Sequence, residues 1–322
     1  MKEIIIPIGL SKSGKSTFCK EMCTSSPDHI HISSDDIRDE MFSGSHHEKY
    51  NPKENGKVFE EMHRRLFKAI EAEDDLYIYY DATNISDRKR RHLLKLIKDK
   101  ALDISEPIKV LFVILTTPYE ALLDRAEEEG FPKYIILEQM KKFQFPSFHE
   151  AYEDIDLVTV DFEFINSAPK YPKNSIKYYY SKMKGFDQKT KWHDFDLYSH
   201  TKRCIDLTTN RENQNMLYRV AEWHDVGKLY ARKIENDIAR YYGHENISAY
   251  LYLTSSDIEN DFHAYGRDFV RSIILIIQEH MHIKQIKTRK AFVNMVNRMG
   301  GLDNTSRLIT FSTIDSLSAK KE

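Results

Sequence analysis

Apolar residues in the first half of the chain fall into short runs separated by stretches of helical spacing. Ile4-Ile5-Ile6-Pro7-Ile8 opens the series, so residues 2–8 read as a strand and about 15–24 as the helix after it. His29-Ile30-His31-Ile32-Ser33 reads as a short second strand running into Ser34-Asp35-Asp36-Ile37-Arg38. Val58, Phe59, Met62, Leu66, Phe67 and Ile70 share one helical face between about 53 and 72. Leu76 to Tyr80 is a third strand, followed by Asp81-Ala82-Thr83-Asn84, and Ser86 or Asp87 can cap the next helix. Ile108 to Leu115 is the best strand in the chain, Thr117-Pro118 starts another helix through Arg125, and a late strand lies near 157–165. Strands alternating with helices predict an α/β domain over residues 1–165 with a parallel, doubly wound sheet. Its ligands would bind beyond the carboxyl ends of the strands.

The alternation then stops. Gly44 to Pro52, with the His46-His47 pair, reads as a polar loop, and residues 166–191 carry Pro169, Pro172, several lysines and Tyr178-Tyr179-Tyr180. That stretch is expected to be a packed linker, although lysines interleaved with tyrosines could also stack on and neutralise a single strand. From 192 to 322 the pattern is helical, and an all-α domain is expected there.

Composition narrows the picture. The chain has 322 residues, enough for two domains, and 41% of them are hydrophobic. Lys+Arg 48 against Asp+Glu 50 leaves it near neutral, so a nucleic-acid partner would have to be met by a local basic surface. Three cysteines are too few for a disulfide framework; Cys19 and Cys23 read as core fillers and Cys204 stands alone. No segment reaches the apolar length of a membrane span, and the first residues already read as strand, so a cytoplasmic protein without a signal peptide is expected.

The strongest local signal is Gly9-Leu10-Ser11-Lys12-Ser13-Gly14-Lys15-Ser16-Thr17. It follows a strand and precedes a helix, the context in which G-x-x-x-x-G-K-[ST] forms a phosphate loop. Backbone N–H groups of Gly9, Ser11, Lys12, Ser13 and Gly14, and those at the helix start through Thr17, would point into one concavity and attract anionic oxygens. Lys15 would reach the β- and γ-phosphates of ATP, and the Ser16 hydroxyl would hold Mg²⁺. Asp35, Asp36, Asp81 and Asn84 follow neighbouring strands and should face the same crevice. Asp35 is the expected general base, Asp36 is read as a helix cap, and Arg38 is placed to hold a phosphate of the acceptor.

GLSKSGKST, SSDDIR, DATN followed by a basic helix, and TPYEALLDRAEEEG together resemble the 5′-hydroxyl polynucleotide kinase domain of bacteriophage and bacterial end-healing enzymes. Met140, Lys142-Phe143, Pro146, Glu150 and Asp156 are similar to the end of those domains, so the likeness covers about the first 165 residues. It implies Asp35 as general base, Arg38 as acceptor-phosphate ligand and Arg125 as the lid arginine on the triphosphate. Where that family commonly has a second basic lid residue, this chain has Glu127-Glu128-Glu129, with Lys133 available to substitute.

Histidine is concentrated in the second half: seven of the 14 fall between His193 and His282. His200, His224-Asp225, His244, His280 and Asp315 form an ordered set, and histidine with carboxylate suits Mn, Fe, Ni, Co or Zn better than a bare Mg²⁺ site. SHT at 199–201, WHDVGK at 223–228, YGHE at 242–245, EH at 279–280 and ID at 314–315 resemble the HD phosphohydrolase superfamily, an all-helical metal-dependent fold. By position, His200, His224, Asp225 and Asp315 match first-metal ligands. His244 and His280 match the second-metal histidines, with Asp225 bridging, and Lys228 would contact the phosphate. His193, His263 and His282 are treated as bystanders.

The two resemblances imply one substrate handled twice: a bifunctional enzyme healing nucleic-acid ends, RNA favoured. It would phosphorylate 5′-hydroxyls and remove 2′,3′-cyclic, 2′- or 3′-phosphates, leaving ends for a separate RNA ligase. A small-molecule nucleoside or nucleotide kinase fused to an HD nucleotide phosphohydrolase is the alternative, and a nucleotide-sensing regulatory module a third reading. No membrane partner is expected, and homo-oligomerisation is left open.

Overall fold

A computed structural model describes residues 2–42, 54–151, 157–209 and 211–320. The expected loop at 44–52, with His46 and His47, and Asp156 lie outside the described residues. The chain divides into two compact units. One comprises Met1–Thr116 with Glu150–Ser167, the other Thr117–His149 with Ala168–Glu322.

The first unit is built on a five-stranded sheet of β1 (Lys2–Ile8), β2 (His29–Ser33), β3 (Tyr77–Asp81), β4 (Ile108–Leu115) and β5 (Val158–Ile165), in the order β2-β3-β1-β4-β5. Every pairing is parallel, with Ile4 opposite Ile78 on one side and Val110 on the other. Ile4, Ile6, Ile78, Val110 and Phe112 are fully buried, as central parallel strands covered by helices require. β2 and β5 are the edges, and burial alternates along β5. The chain leaves β1 toward β3 and β2, then crosses to β4 on the other side. The topological switch point is therefore the carboxyl end of β1, where Gly9 begins the loop.

The basic helix Asp87–Ile104 is tied in by one of its own arginines. The Arg90 guanidinium forks onto both oxygens of Glu150 at 2.7 and 3.0 Å, with both side chains fully buried, and also donates to Asn84 O at 2.8 Å. A bidentate pair with a third N–H donor also satisfied offsets much of the desolvation cost of the two charges.

The second unit is helical around Arg267–Glu279, whose run Val270–Glu279 is buried throughout. One departure from the all-α expectation is a small antiparallel hairpin, Lys233–Glu235 with Ile238–Arg240. Its turn residues Asn236 and Asp237 both have positive φ, as a two-residue hairpin turn demands.

Residues 117–149, expected with the first domain, pack in this second unit. The Gln278 side chain accepts from Phe145 N at 2.9 Å and donates to Phe143 O at 2.8 Å, while Phe143 and Phe145 are fully buried. Asn246 donates to Lys141 O, Tyr250 to Thr117 O, and Arg271 to Ser147 O. Polar side chains of the later helices thus satisfy backbone groups at 117 and 141–147, outside the helices Tyr119–Glu128 and Lys133–Met140 of this segment. The stretch expected as a linker contains the helix Ile176–Met183, docked by Tyr179 against Trp223 at 5.4 Å between ring centroids.

Candidate active sites

In the first unit, the loop after β1 has the shape its residues imply. Gly9 has no room for a side chain: a Cβ there would meet Ser13 Oγ at 2.4 Å. Lys12 and Gly14 have positive φ, 67° and 92°, so the chain curls tightly before the helix Lys15–Thr24 starts. The Gly9 and Ser13 amides, expected to face a phosphate, donate instead to Thr83 O and Leu10 O, each at 3.2 Å, and close the turn. Lys15 is buried and donates to Leu10 O at 2.8 Å. Burial lowers its pKa, opposed by the charges of Asp81 and Asp35. Two carboxylates therefore stand near the ammonium. Ser16 is half-buried and Thr17 exposed at the start of the same helix. The glycine-bounded turn, the Lys15 ammonium and the amides of the first helical turn suit a polyphosphate.

Ser33 caps the helix Ser34–Met41, its side chain accepting from Asp36 N at 3.1 Å. That cap fixes the first turn, where Arg38 Nη1 donates to Asp35 Oδ1 at 2.6 Å and Nη2 to Asn55 Oδ1 at 3.3 Å. Arg38 is buried and Asp35 exposed, so the guanidinium orients a carboxylate that solvent and substrate can reach. Asp81, buried at the end of β3, accepts from His31 Nε2 at 3.0 Å, a partner that spacing alone did not flag. Asn84 is structural: its amide donates to Pro7, Tyr80 and Ala82 carbonyls and ties β1 to β3. Arg125 lies on the helix Tyr119–Glu128 of the second unit, and Lys133 pairs with Glu127.

The second unit brings His200, His224, Asp225, His244, His280 and Asp315 together from five parts of the chain. His200 projects from the helix Leu197–Thr208, and His224-Asp225 from the end of Gln214–Trp223. His244 begins His244–Leu253, His280 caps Arg267–Glu279, and Asp315 comes from Leu302–Ser318. Asp225 presents one oxygen to each of two groups. Its Oδ2 is 3.3 Å from His200 Nε2 and 3.2 Å from His224 Nε2. Its Oδ1 is 3.1 Å from His244 Nε2 and 3.9 Å from His280 Nε2. Asp315 Oδ1 joins the first group, 3.2 Å from His200 Nε2 and 3.7 Å from His224 Nε2.

The outer ring nitrogens determine what these contacts mean. Nδ1 of His224, His244 and His280 faces the carbonyls of Ala221, Tyr241 and Ile277 at 3.0, 2.8 and 2.6 Å. A carbonyl only accepts, so each Nδ1 carries the proton and each Nε2 turns a lone pair inward. The Nε2 atoms of His244 and His280 are buried without a hydrogen-bond partner, although a carboxylate oxygen stands beside them. Lone pair facing lone pair in a dry site calls for a cation between them. Ligands about 2.1 Å from a shared ion sit about 3.0–3.4 Å apart, close to the spacings found here. The residues fit divalent metal.

Burial pushes His280 down to about 3, so it stays neutral and able to ligate. Burial pushes Asp225 upward, but Lys228 and His224 outweigh it and hold the carboxyl well below the usual range. Lys228 Nζ donates to Gln188 Oε1 at 2.8 Å and His193 Nε2 at 3.3 Å and makes an ion pair with Asp225 Oδ2 at 2.7 Å, an oxygen that is buried without a hydrogen-bond partner. The lysine expected to meet phosphate is thus also a support for Asp225. His193, set aside as a bystander, lies at the site, 5.0 Å from His200 between ring centroids. Its burial and the Lys228 charge push it down to about 3, which makes it a neutral acceptor. His263 and His282 take no part in the two groups, and His282 pairs with Glu279.

The helix that carries His200 also carries Tyr198 and Lys202, and basic side chains pair with aromatic rings there and elsewhere in the unit. Lys184 and Lys202 lie 5.0 and 5.7 Å from the Tyr198 ring, and Lys202 is also 4.6 Å from Tyr180. Arg232 covers Phe186 at 4.7 Å, and Lys191 covers the exposed Trp192 at 4.7 Å. The Nε atoms of Arg203 and Arg232 are buried and without a hydrogen-bond partner.

Residues 4–144 match a protein family described as an AAA domain, a span that holds the phosphate loop and four of the five strands. Solved structures similar to the chain include "Crystal Structure of Fungal RNA Kinase", at 16% identity and TM-score 0.37 over 68% of this chain and 95% of that one. Another is "Structure of Pnkp1/Rnl/Hen1 complex", at 16% identity and TM-score 0.33 over 68% of this chain and 72% of that one. No curated protein matches the chain. Among the described residues no helix is long and apolar enough to cross a membrane.

Proposed function

We propose that the chain is a bifunctional enzyme of nucleic-acid ends, RNA favoured: an ATP-dependent 5′-hydroxyl kinase joined to an HD-type phosphohydrolase. One observation carries the pairing. Besides a phosphate-loop cradle, the chain has a carboxylate, Asp225, that offers one oxygen to each of two imidazole groups. Both are devices for phosphate chemistry, and the lysine–tyrosine cluster at the helix that carries His200 suits a single strand, whose bases stack while its phosphates meet lysine.

In the kinase step the 5′-oxygen attacks the γ-phosphorus as the bond to the ADP oxygen breaks, and the hydroxyl proton passes to Asp35. Arg38 holds Asp35 in place and is assigned the acceptor phosphate on the strength of its motif. Lys15 and the amides of the first helical turn would neutralise charge on the triphosphate, Ser16 would ligate Mg²⁺, and Arg125 is assigned the lid arginine on the strength of its motif.

In the second reaction His200, His224, Asp225 and Asp315 would hold one divalent ion, and His244, His280 and Asp225 a second. Such ions supply Lewis-acid polarisation of a phosphoryl oxygen and a nucleophile from water at neutral pH. Lys228 and Lys284, bonded to Asp225 and Asp315, keep both carboxylates aimed inward.

Labelled ATP offered with a 5′-hydroxyl oligonucleotide and with a panel of nucleosides tests the kinase half. Transfer to the oligonucleotide is expected; transfer to nucleosides alone would make the chain a small-molecule kinase. Lys15→Ala and Asp35→Ala should each abolish that transfer while release of terminal phosphate continues, and Asp225→Ala should do the reverse. Loss of both activities in any one variant would overturn the assignment of independent sites.

A further inference from the structure

Cys204 is one helical turn beyond His200, on the same face of Leu197–Thr208, and its thiol is fully buried. Its Sγ lies 3.8 Å from His200 Nε2, and one ligand atom each from Cys204, His200, His224 and Asp315 falls within 4.8 Å of the others. Motif spacing left this cysteine aside, because a lone cysteine in sequence has no partners. We propose that Cys204 is a thiolate ligand of the first metal, making that centre a mixed imidazole–carboxylate–thiolate site. The inference rests on the metal-centre reading above and adds to it a residue that the HD motif does not include.

Ser318 supplies the supporting chemistry. Its Oγ donates to Asp315 O at 2.8 Å and lies 3.1 Å from His200 Nδ1 and 2.9 Å from Cys204 Sγ. A hydroxyl has one proton, so with that proton on Asp315 O its lone pairs accept from His200 Nδ1–H and from the thiol. The His200 Nε2 lone pair then points inward, as in the other three histidines. When the sulfur binds metal, the S–H bond breaks, a sulfur–metal bond forms and the proton leaves to solvent. The Ser318 hydroxyl then turns to donate to the sulfur. Charge permits the extra anion, since Lys228 and Lys284 each sit on one of the two carboxylates. A thiolate in the set selects zinc, iron or cobalt over magnesium or manganese, which take harder oxygen ligands.

The test is cobalt titration of the metal-stripped full chain under anaerobic conditions. The expected result is visible ligand-field absorption together with a near-ultraviolet sulfur-to-cobalt charge-transfer band, with Cys204→Ser losing the second and keeping the first. Visible bands without charge transfer in the natural chain, or a charge-transfer band that survives in Cys204→Ser, overturns the ligand assignment. Absence of cobalt absorption altogether overturns the metal-centre reading, a different failure. X-ray absorption at the zinc edge of the natural chain needs no variant. It should show sulfur at about 2.3 Å, and a shell of nitrogen and oxygen alone overturns the proposal.

Discussion

Gly227 sits against the carbonyl of His244: a Cβ on it would lie 2.1 Å from that oxygen and 2.9 Å from the Ile247 Cβ. Its φ is −60°, so backbone freedom is not the reason for glycine. The reason is proximity. The stretch that carries His224 and Asp225 must touch the start of the helix that carries His244, and Gly227 N donates to Ser248 Oγ at 2.8 Å across the same contact.

Gly227→Ala should therefore push the His244 end away from Asp225. Overpacking of this kind costs about 1–3 kcal/mol of stability. A displacement near 1 Å at a reacting site costs about 100-fold in rate. Phosphate release from a terminally phosphorylated oligonucleotide should fall by about that factor, with transfer from ATP unchanged. Phosphate release at the natural rate would show that the contact does not set the geometry.

How much of this was legible beforehand depended on whether the signal was local. The phosphate loop, the apolar strands and the His224-Asp225 pair are written in consecutive residues, and the parallel sheet, though not its strand order, followed from the alternation. The packing of 117–149 was not legible, because it depends on Gln278, Asn246 and Arg271 reaching backbone groups over 100 residues away. His193 and Cys204 were passed over for the same reason: each has meaning only beside Lys228 or His200 in space. The hairpin at 233–240 was hidden by its length, three residues a strand, with an Asn-Asp turn in place of a glycine.

The Arg90–Glu150 pair makes a stability prediction for the first unit. Both side chains are fully buried, so Glu150→Gln leaves a guanidinium charge without its counter-ion. The expected loss is about 3–5 kcal/mol, measured as a shift in the denaturant midpoint. Arg90→Met with Glu150→Leu should recover part of it, though Asn84 O then loses its donor. A single variant as stable as the natural chain would mean that water reaches the pair.

His63 gives a pH dependence. Burial, then the charge of His92, lowers its pKa from 6.5, and its ring lies 6.1 Å from Tyr80 at an interplanar angle of 12°. The unfolded chain binds a proton near 6.5 while the folded chain resists it. This contribution to stability is present in full above 6.5 and falls as pH drops below it toward the folded value. Between about pH 7.5 and 5.5 the urea midpoint of the natural chain should decline more steeply than that of His63→Gln. Parallel declines would remove His63 from the acid response.

Salt should reveal whether the cationic aromatic face carries a single strand. Lys184 and Lys202 lie over Tyr180 and Tyr198, whose rings are 5.5 Å apart, so ammonium and ring are presented together. Each phosphate contact to a single strand contributes about 0.7 to the slope of log affinity against log salt, through release of bound counter-ions. Lys184→Ala and Lys202→Ala should each flatten that slope by about 0.7 for an oligonucleotide ending in a 3′-phosphate, and together by about twice as much if the contacts are independent. A mononucleotide has no strand to lay across the face, so its KM should stay as in the natural chain. Equal losses for oligonucleotide and mononucleotide would place the lysines in the support of the site instead. An unchanged slope would leave the face with no part in binding the strand.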